Sequence, residues 1–232
     1  PDHLAVFSLF NNNPSILTLH GQPAVTVKRR RGIIINLIYN LLERYAFYKA
    51  KKIIAVDKIT FNYYSKIYPS QKKKFLIIPT GVNIEKFYYK DNKKNRRKFK
   101  LSMNDKIIIY VGRMAPPKRT KFIINSFNLL KNRDSLYKLL IVGDGVMKDA
   151  CMKLSKKLNI SHSIFFLGAQ DRSKIPELYN LADASVLVSY NEGSPLSVKE
   201  SLACGVPIVA NDVGDISNII KNLLDRPGRL LL

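Results

Sequence analysis

Acidic side chains are scarce in this sequence. The 232 residues include 17 Asp and Glu against 39 Lys and Arg, a formal net charge of +22 at pH 7. Such an imbalance attracts an anionic partner: nucleic acid, an acidic membrane surface or a phosphorylated ligand. A Lys-rich surface without any partner gives the same balance. Cysteine is almost absent. Cys151 and Cys204 are the only two, and their spacing fits neither a zinc site nor a disulfide framework, so a reducing cytosol suits them. No apolar run is long enough to span a bilayer. No Asp-x-Asp metal motif and no short-period repeat occurs. The chain opens on Pro1 with no Met. A fragment is therefore expected, and the lack of a signal peptide excludes nothing about targeting.

Hydrophobic residues make up 46% of the chain, which excludes wholesale disorder, and the length suits two small domains. Short apolar runs alternate with helical stretches. Residues 16–20, 52–57 and 75–80 read as strands, with helices over 32–49 and 58–68. Residues 88–100 are mostly Lys, Arg, Asn and Asp and read as a solvated connector. Beyond it, strands are expected at 106–112, 137–143, 163–168, 184–190 and 206–211. Helices are expected at 118–131, 146–158, 172–183 and 195–203. These strands are near-continuous apolar runs, the pattern of parallel strands buried on both faces. The expectation is an α/β architecture of two doubly wound Rossmann-like domains with a cleft between them. Residues 1–87 form a partial first domain, 88–100 a charged linker and 101–232 the second domain.

In an open parallel sheet, ligands bind outside the carboxyl ends of the strands. The tip after Tyr110 carries Gly112, where the backbone can turn tightly, then Arg113, with Lys118 near the start of the next helix. Arg grips phosphate bidentately, Lys adds a point charge, and a helix start adds free amides. Two basic residues among 39 are ordinary when taken alone. The next tips hold Gly143-Asp144-Gly145, a common turn, and Gly168, beside which a flat base could approach the backbone. The tip after Tyr190 is the most informative. Ser194 suits an N-cap and Pro195 a first helical position, so the amides here form an anion site. Glu192 lies just before that helix and Glu200 lies on it. Carboxylates accept sugar hydroxyls well, so the combination suits a ligand with both phosphates and hydroxyls.

Glu192 and Glu200 form a Glu-x7-Glu motif. The stretch from Asn191 to Asn211 resembles the donor-site signature of glycosyltransferase family 4, retaining enzymes of GT-B fold. Val111-Gly112-Arg113 with Lys118 resembles that family's diphosphate clamp. Ile78-Pro79-Thr80-Gly81-Val82-Asn83 with Phe87 resembles its interdomain segment. Leu17-Thr18-Leu19-His20-Gly21 resembles the His-Gly strand end of its acceptor-side domain. Four motifs in the family's order are more specific than any one of them.

The resemblance implies metal-independent transfer of a sugar from a nucleotide diphosphate sugar, with retention and with no cofactor. It implies that Arg113 and Lys118 hold the diphosphate, and that Glu192 binds hydroxyls of the transferred sugar. The amides around Gly193, Ser194, Pro195 and Leu196 would help to hold sugar and phosphates, with Gly112 and Gly143 at neighbouring tips. Glu200 would take the ribose, the loop at Gly168 would face the base, and His20 would act close to the reaction centre. The resemblance implies an acceptor that is a sugar, a lipid-linked sugar or a polysaccharide precursor, without naming it. Arg119 stands where the family usually has Gly, and Asp57 where Ser is common. The family also has an earlier strand with a Gly-rich loop, before Leu4, and a returning C-terminal helix after Leu232, so low activity is expected of this chain alone. Two other readings are a nucleic-acid-binding protein with Lys28 to Arg31, Lys72 to Lys74 and Lys93 to Lys100 as its basic footprint, or a peripheral membrane module in which Lys28 to Arg31 precede an apolar helix from Ile33 to Tyr48. No recognition-helix or aromatic RNA motif supports the first. A cytoplasmic location is expected, with the cytoplasmic membrane face as a further site.

Overall fold

The computed structural model describes residues 15–21 and 33–224. Two compact units divide between Thr80 and Gly81; the short segment Glu192–Ser194 groups with the first and the remainder with the second. Lys28 to Arg31 and Gly32 lie outside the described residues. Among the described residues, no helix is long and apolar enough to cross a membrane.

The first unit holds three parallel strands, β1 (Ile16–Leu19), β2 (Lys52–Ala55) and β3 (Phe75–Ile77), in the order β1-β2-β3. Helix α1 (Ile33–Lys49) joins β1 to β2, and α2 (Lys58–Ile67) leads from β2 towards β3. Phe47 is the hub of its core: its ring stacks on Tyr64 and Tyr68 and meets Phe75, while Ile53 and Ala55 are fully buried. Asp57 caps α2. Its carboxylate accepts from the Thr60 amide at 2.6 Å and the Thr60 hydroxyl at 2.7 Å, which explains an acid where Ser is common.

The second unit is built on a five-stranded parallel sheet. Its strands are β4 (Lys106–Val111), β5 (Tyr137–Val142), β6 (Ile164–Gly168), β7 (Ala184–Leu187) and β8 (Ile208–Ala210), in the order β6-β5-β4-β7-β8. The intervening helices are α3 (Thr120–Arg133), α4 (Lys148–Lys157), α5 (Ile175–Tyr179), α6 (Leu196–Ala203) and α7 (Ile216–Leu224). Alternate residues of β4 and β5 serve the two faces. Tyr110, Leu139 and Ile141 join one core with Ile124 and Phe127 of α3; Ile107, Ile109, Leu140 and Val142 join the other with Leu178 and Tyr179 of α5. Period-two alternation into two buried faces is why these strands read as unbroken apolar runs.

Residues 88–100, α5 and α7 depart most from the sequence reading. Residues 88–100 are not a solvated connector throughout. Lys93–Phe99 forms a 3-10 turn, and Arg96 within it is 1% exposed. The Arg96 guanidinium donates to the carbonyls of Leu181, Met103 and Asp105 and to Asp183 Oδ2. Phe87 is buried in the same core. Both group with the second unit, which begins at Gly81, ahead of the expected boundary at 87. Helix α5 covers only Ile175–Tyr179 of the expected 172–183. A helix starting at residue 172 would put Pro176 in its interior, where the ring clashes with the carbonyl four residues back. At the other end, Leu181 and Asp183 are held by Arg96, and Asp183 also accepts from the Ile107 amide at 2.8 Å. Helix α7 has no counterpart in the expectations.

Candidate functional site

The order β6-β5-β4-β7-β8 places a switch point between β4 and β7. The chain runs outwards from β4 through β5 and β6, then returns to the other side for β7 and β8. Connections leave the carboxyl ends of β4 and β7 in opposite directions, which opens a crevice there.

At the β4 end, the Gly112 amide donates to the Val142 carbonyl at 2.9 Å, and the Tyr110 hydroxyl to the Arg113 carbonyl at 3.0 Å. Met114 is fully buried, and its amide donates to the Asp144 carbonyl at 2.8 Å. The backbone on either side of Arg113 is thus pinned, while the Arg113 side chain is exposed. Pro116–Lys118 makes one 3-10 turn before α3, with Lys118 half-buried. Arg119 is the N-cap of α3 in the left-handed conformation, φ 54°.

The neighbouring tips are laced to this one. The Gly143 amide donates to the Gly168 carbonyl at 2.8 Å, and Gly143, at φ 134°, lies so close that a Cβ would overlap the Gly112 carbonyl. Close packing accounts for this glycine. Asp144 pairs with Lys148 at 2.7 Å, which lowers the pKa of its carboxyl. Gly168, φ 67°, has open space around it: a Cβ would meet nothing within 4 Å.

The β7 tip carries Tyr190, whose amide donates to the Pro117 carbonyl at 2.9 Å and so joins it to the β4 loop. Helix α6 begins one residue later than expected. Pro195, with ψ 118°, is the N-cap and Leu196 the first helical residue; Ser194 precedes them. The extended backbone of Pro195 is the cause, since a helical N1 needs a negative ψ. Glu200 sits one turn into α6, and its side chain is 5% exposed. Arg172 Nη2 donates to its Oε1 at 2.6 Å. Burial raises the pKa of the Glu200 carboxyl, and the Arg172 charge opposes that rise.

The first unit holds the other candidates. His20 follows β1 and is exposed; Gly21 has φ 140°. Glu192, Gly193 and Ser194 group with this unit. A Cβ on Gly193 would stand 2.7 Å from the His20 carbonyl oxygen and 3.1 Å from Asp57 Oδ2, so this position admits glycine only. The second unit thus gathers Gly112, Arg113, Lys118, Gly143, Gly168, Pro195, Leu196 and Glu200 at the carboxyl ends of its strands. His20, Glu192, Gly193 and Ser194 belong to the first.

Two residues at the site escaped the sequence reading. Arg172 is the charge partner of Glu200. The Arg119 guanidinium carbon lies 4.3 Å from the Phe122 ring centroid and 4.4 Å from that of Tyr190. The signal for Arg119 was its departure from the glycine of the resembled family. Arg172 had none.

Residues 91–226 match the family model described as glycosyl transferases group 1. The chain is 29% identical over 211 residues to the N-acetyl-alpha-D-glucosaminyl L-malate synthase of Bacillus anthracis, covering 89% of this chain and 52% of that protein. It is likewise 29% identical over 218 residues to the UDP-Gal:alpha-D-GlcNAc-diphosphoundecaprenol alpha-1,3-galactosyltransferase of Escherichia coli, covering 90% and 54%. The chain spans about half the length of these relatives. Its fold matches the crystal structure of Anabaena Alr3699/HepE in complex with UDP and glucose, with TM-score 0.74 and 19% identity over 93% of this chain and 57% of that one. The fold is α/β of GT-B type.

Proposed function

The chain belongs to the glycosyl transferases group 1 family, and from that premise we propose that it binds a nucleotide diphosphate sugar for transfer to an acceptor, with retention of anomeric configuration and without a metal. One observation carries this reading. The switch point of the second sheet lies between β4 and β7, and Arg113, Lys118 and the start of α6 sit at those two strand ends. A pinned turn with two cations beside helix amides suits a diphosphate.

In this reading Arg113 and Lys118 hold the diphosphate with the amides of Leu196 and its neighbours. Glu200 accepts the ribose hydroxyls, the open backbone at Gly168 faces the base, and Glu192 accepts hydroxyls of the transferred sugar. His20 contributes from the first unit. The bond between the anomeric carbon and the diphosphate oxygen breaks, and the acceptor oxygen bonds to the same face of the ring. Negative charge grows on the leaving diphosphate. Fixed cations and amides stabilise it without reorganising during the step, and they supply what a metal would otherwise supply. The similarity to a galactosyltransferase named for UDP-Gal supports a nucleotide-sugar donor.

We place the protein in the cytoplasm, acting on a sugar, lipid-linked sugar or polysaccharide precursor, with an anionic membrane surface as a second partner. Helix α1 exposes Leu37, Leu41 and Tyr48, at 60% or more, which favours the membrane. Sedimentation with anionic vesicles tests that part. The donor itself is tested by a thermal-shift screen of nucleotide sugars. A stabilising nucleotide sugar, followed by a product whose anomeric proton coupling matches that of the donor, supports the reading. No stabilisation by any of them, or an inverted product, would overturn it.

A further inference from the structure

Glu200 is a buried acid with one charge partner among the described residues. Burial disfavours its ionised form. Its other titratable neighbours, Tyr179 and Cys204, do not help: burial, and after it the Glu200 charge, pushes both of them up, Cys204 to about 12, so both stay neutral. Lys199, the preceding residue on the helix, faces the charge of Asp215 instead. Only Arg172 opposes the burial. It comes from the loop between β6 and α5, and its guanidinium carbon lies 5.6 Å from the centroid of the buried Phe87 ring. The guanidinium is therefore placed against a fixed ring while Nη2 reaches Glu200 Oε1 at 2.6 Å. No described residue bonds Oε2.

We propose that Arg172 is a positioning residue for the nucleotide's ribose: it holds the buried Glu200 carboxylate ionised and engages Oε1, leaving Oε2 to accept the ribose hydroxyls. The inference rests on the reading of Glu200 as the ribose acceptor. It goes beyond that reading, because it assigns the acceptor's charge and orientation to a residue 28 positions earlier on another loop. An arrangement of this kind ties ribose recognition to pH. A carboxyl buried without its cation takes up a proton at a higher pH, and a protonated carboxyl accepts a ribose hydroxyl less strongly. Because the Arg172 side chain is 65% exposed, its replacement removes little packing.

The test is calorimetry on the 232-residue chain with UDP, GDP and ADP and their 2′,3′-dideoxy forms, from about pH 5 to 8, for wild type, Arg172→Lys, Arg172→Met and Arg172→Gln. The wild type should prefer the ribose form. Arg172→Met and Arg172→Gln should lose about tenfold of that preference, and their affinity should fall with acidification from a higher pH. Arg172→Lys should restore most of both. A carbon-detected titration of the Glu200 carboxyl, free of nucleotide, should show a higher pKa in Arg172→Met than in wild type. Unchanged preference and an unchanged carboxyl titration would overturn this inference alone. A wild type that binds ribose and dideoxyribose forms equally would overturn the ribose reading itself, and the inference with it.

Discussion

The guanidinium of Arg119 stands 4.4 Å from the ring of Tyr190, across the two loops that carry the candidate phosphate-binding residues. A second ring, Phe122, lies 4.3 Å away. Arg119 holds this place in a left-handed backbone, φ 54°, which costs a non-glycine residue about 1–2 kcal/mol. Two cation–π contacts, each worth about 0.5–1 kcal/mol, offset that cost and explain how arginine replaces the glycine of the resembled family. Arg119→Ala keeps the strain and loses the contacts, so a loss of about 1–2 kcal/mol is expected. Arg119→Gly removes both and should cost less. Urea midpoints of the two variants test the balance; an equal loss in both would remove the role assigned to the strain.

Gly143 lies against the Gly112 carbonyl at φ 134°, with no room for a Cβ. Gly143→Ala must separate the β4 and β5 tips or strain both, and should cost about 2–4 kcal/mol. Gly168→Ala meets no atom within 4 Å and should cost only its left-handed conformation, about 1 kcal/mol. Thermal unfolding of the pair checks the ranking, and equal losses would contradict it.

Arg96 is the buried member of a basic run whose next residue, Arg97, is exposed. Arg96→Met leaves the carbonyls of Leu181, Met103 and Asp105 short of a donor and should destabilise by about 2–4 kcal/mol. Arg97→Met should stay within about 0.5 kcal/mol. Denaturant melts of both decide the point; similar values would show that the burial of Arg96 carries no stability.

The contrast between these two arginines shows where sequence reading stops. The strand from Ile107 to Tyr110 is legible because its apolar run is a local consequence of burial on both faces. The strand tips follow from the parallel direction of the strands, whereas the order β6-β5-β4-β7-β8 rests on contacts between distant segments. The partners of Arg96 stand up to 87 residues away, and nothing local marks it out from the lysines around it. Arg172 is hidden for the same reason: its partner Glu200 lies across the sheet's carboxyl edge. Helix α7 is a different omission. Ile216, Ile219, Ile220 and Leu223 carry a helical spacing that was there to be read. The start of α6 was read one residue early, because Pro195 suits both the N-cap and the first helical position until its ψ is known.

The two glutamates of the candidate motif should separate by ligand. Glu200→Gln keeps size but loses charge-assisted acceptance, so it should weaken the bare nucleotide diphosphate and the nucleotide sugar alike, by about 1–2 kcal/mol. Glu192→Gln should weaken only the sugar-bearing ligand. In the full-length enzyme its effect on rate should exceed its effect on binding, because only contacts that strengthen in the transition state accelerate the step. Titrations with both ligands, with folding checked by circular dichroism, test the division. Equal losses of both ligands in both variants would reduce the motif to a support for α6.

The central claim is that the β4 tip grips a diphosphate by fixed cations. Calorimetric titration of a nucleotide diphosphate into wild type and Arg113→Ala tests it most directly. Arg113 is exposed on a turn whose backbone is pinned through Gly112, Met114 and the Tyr110 hydroxyl, so the substitution should leave the fold intact. The account predicts a loss of about 1.5–3 kcal/mol in Arg113→Ala, the worth of a charge-assisted hydrogen bond, and no change in wild-type affinity on addition of EDTA. Unchanged affinity in Arg113→Ala, or wild-type binding abolished by EDTA, would contradict it.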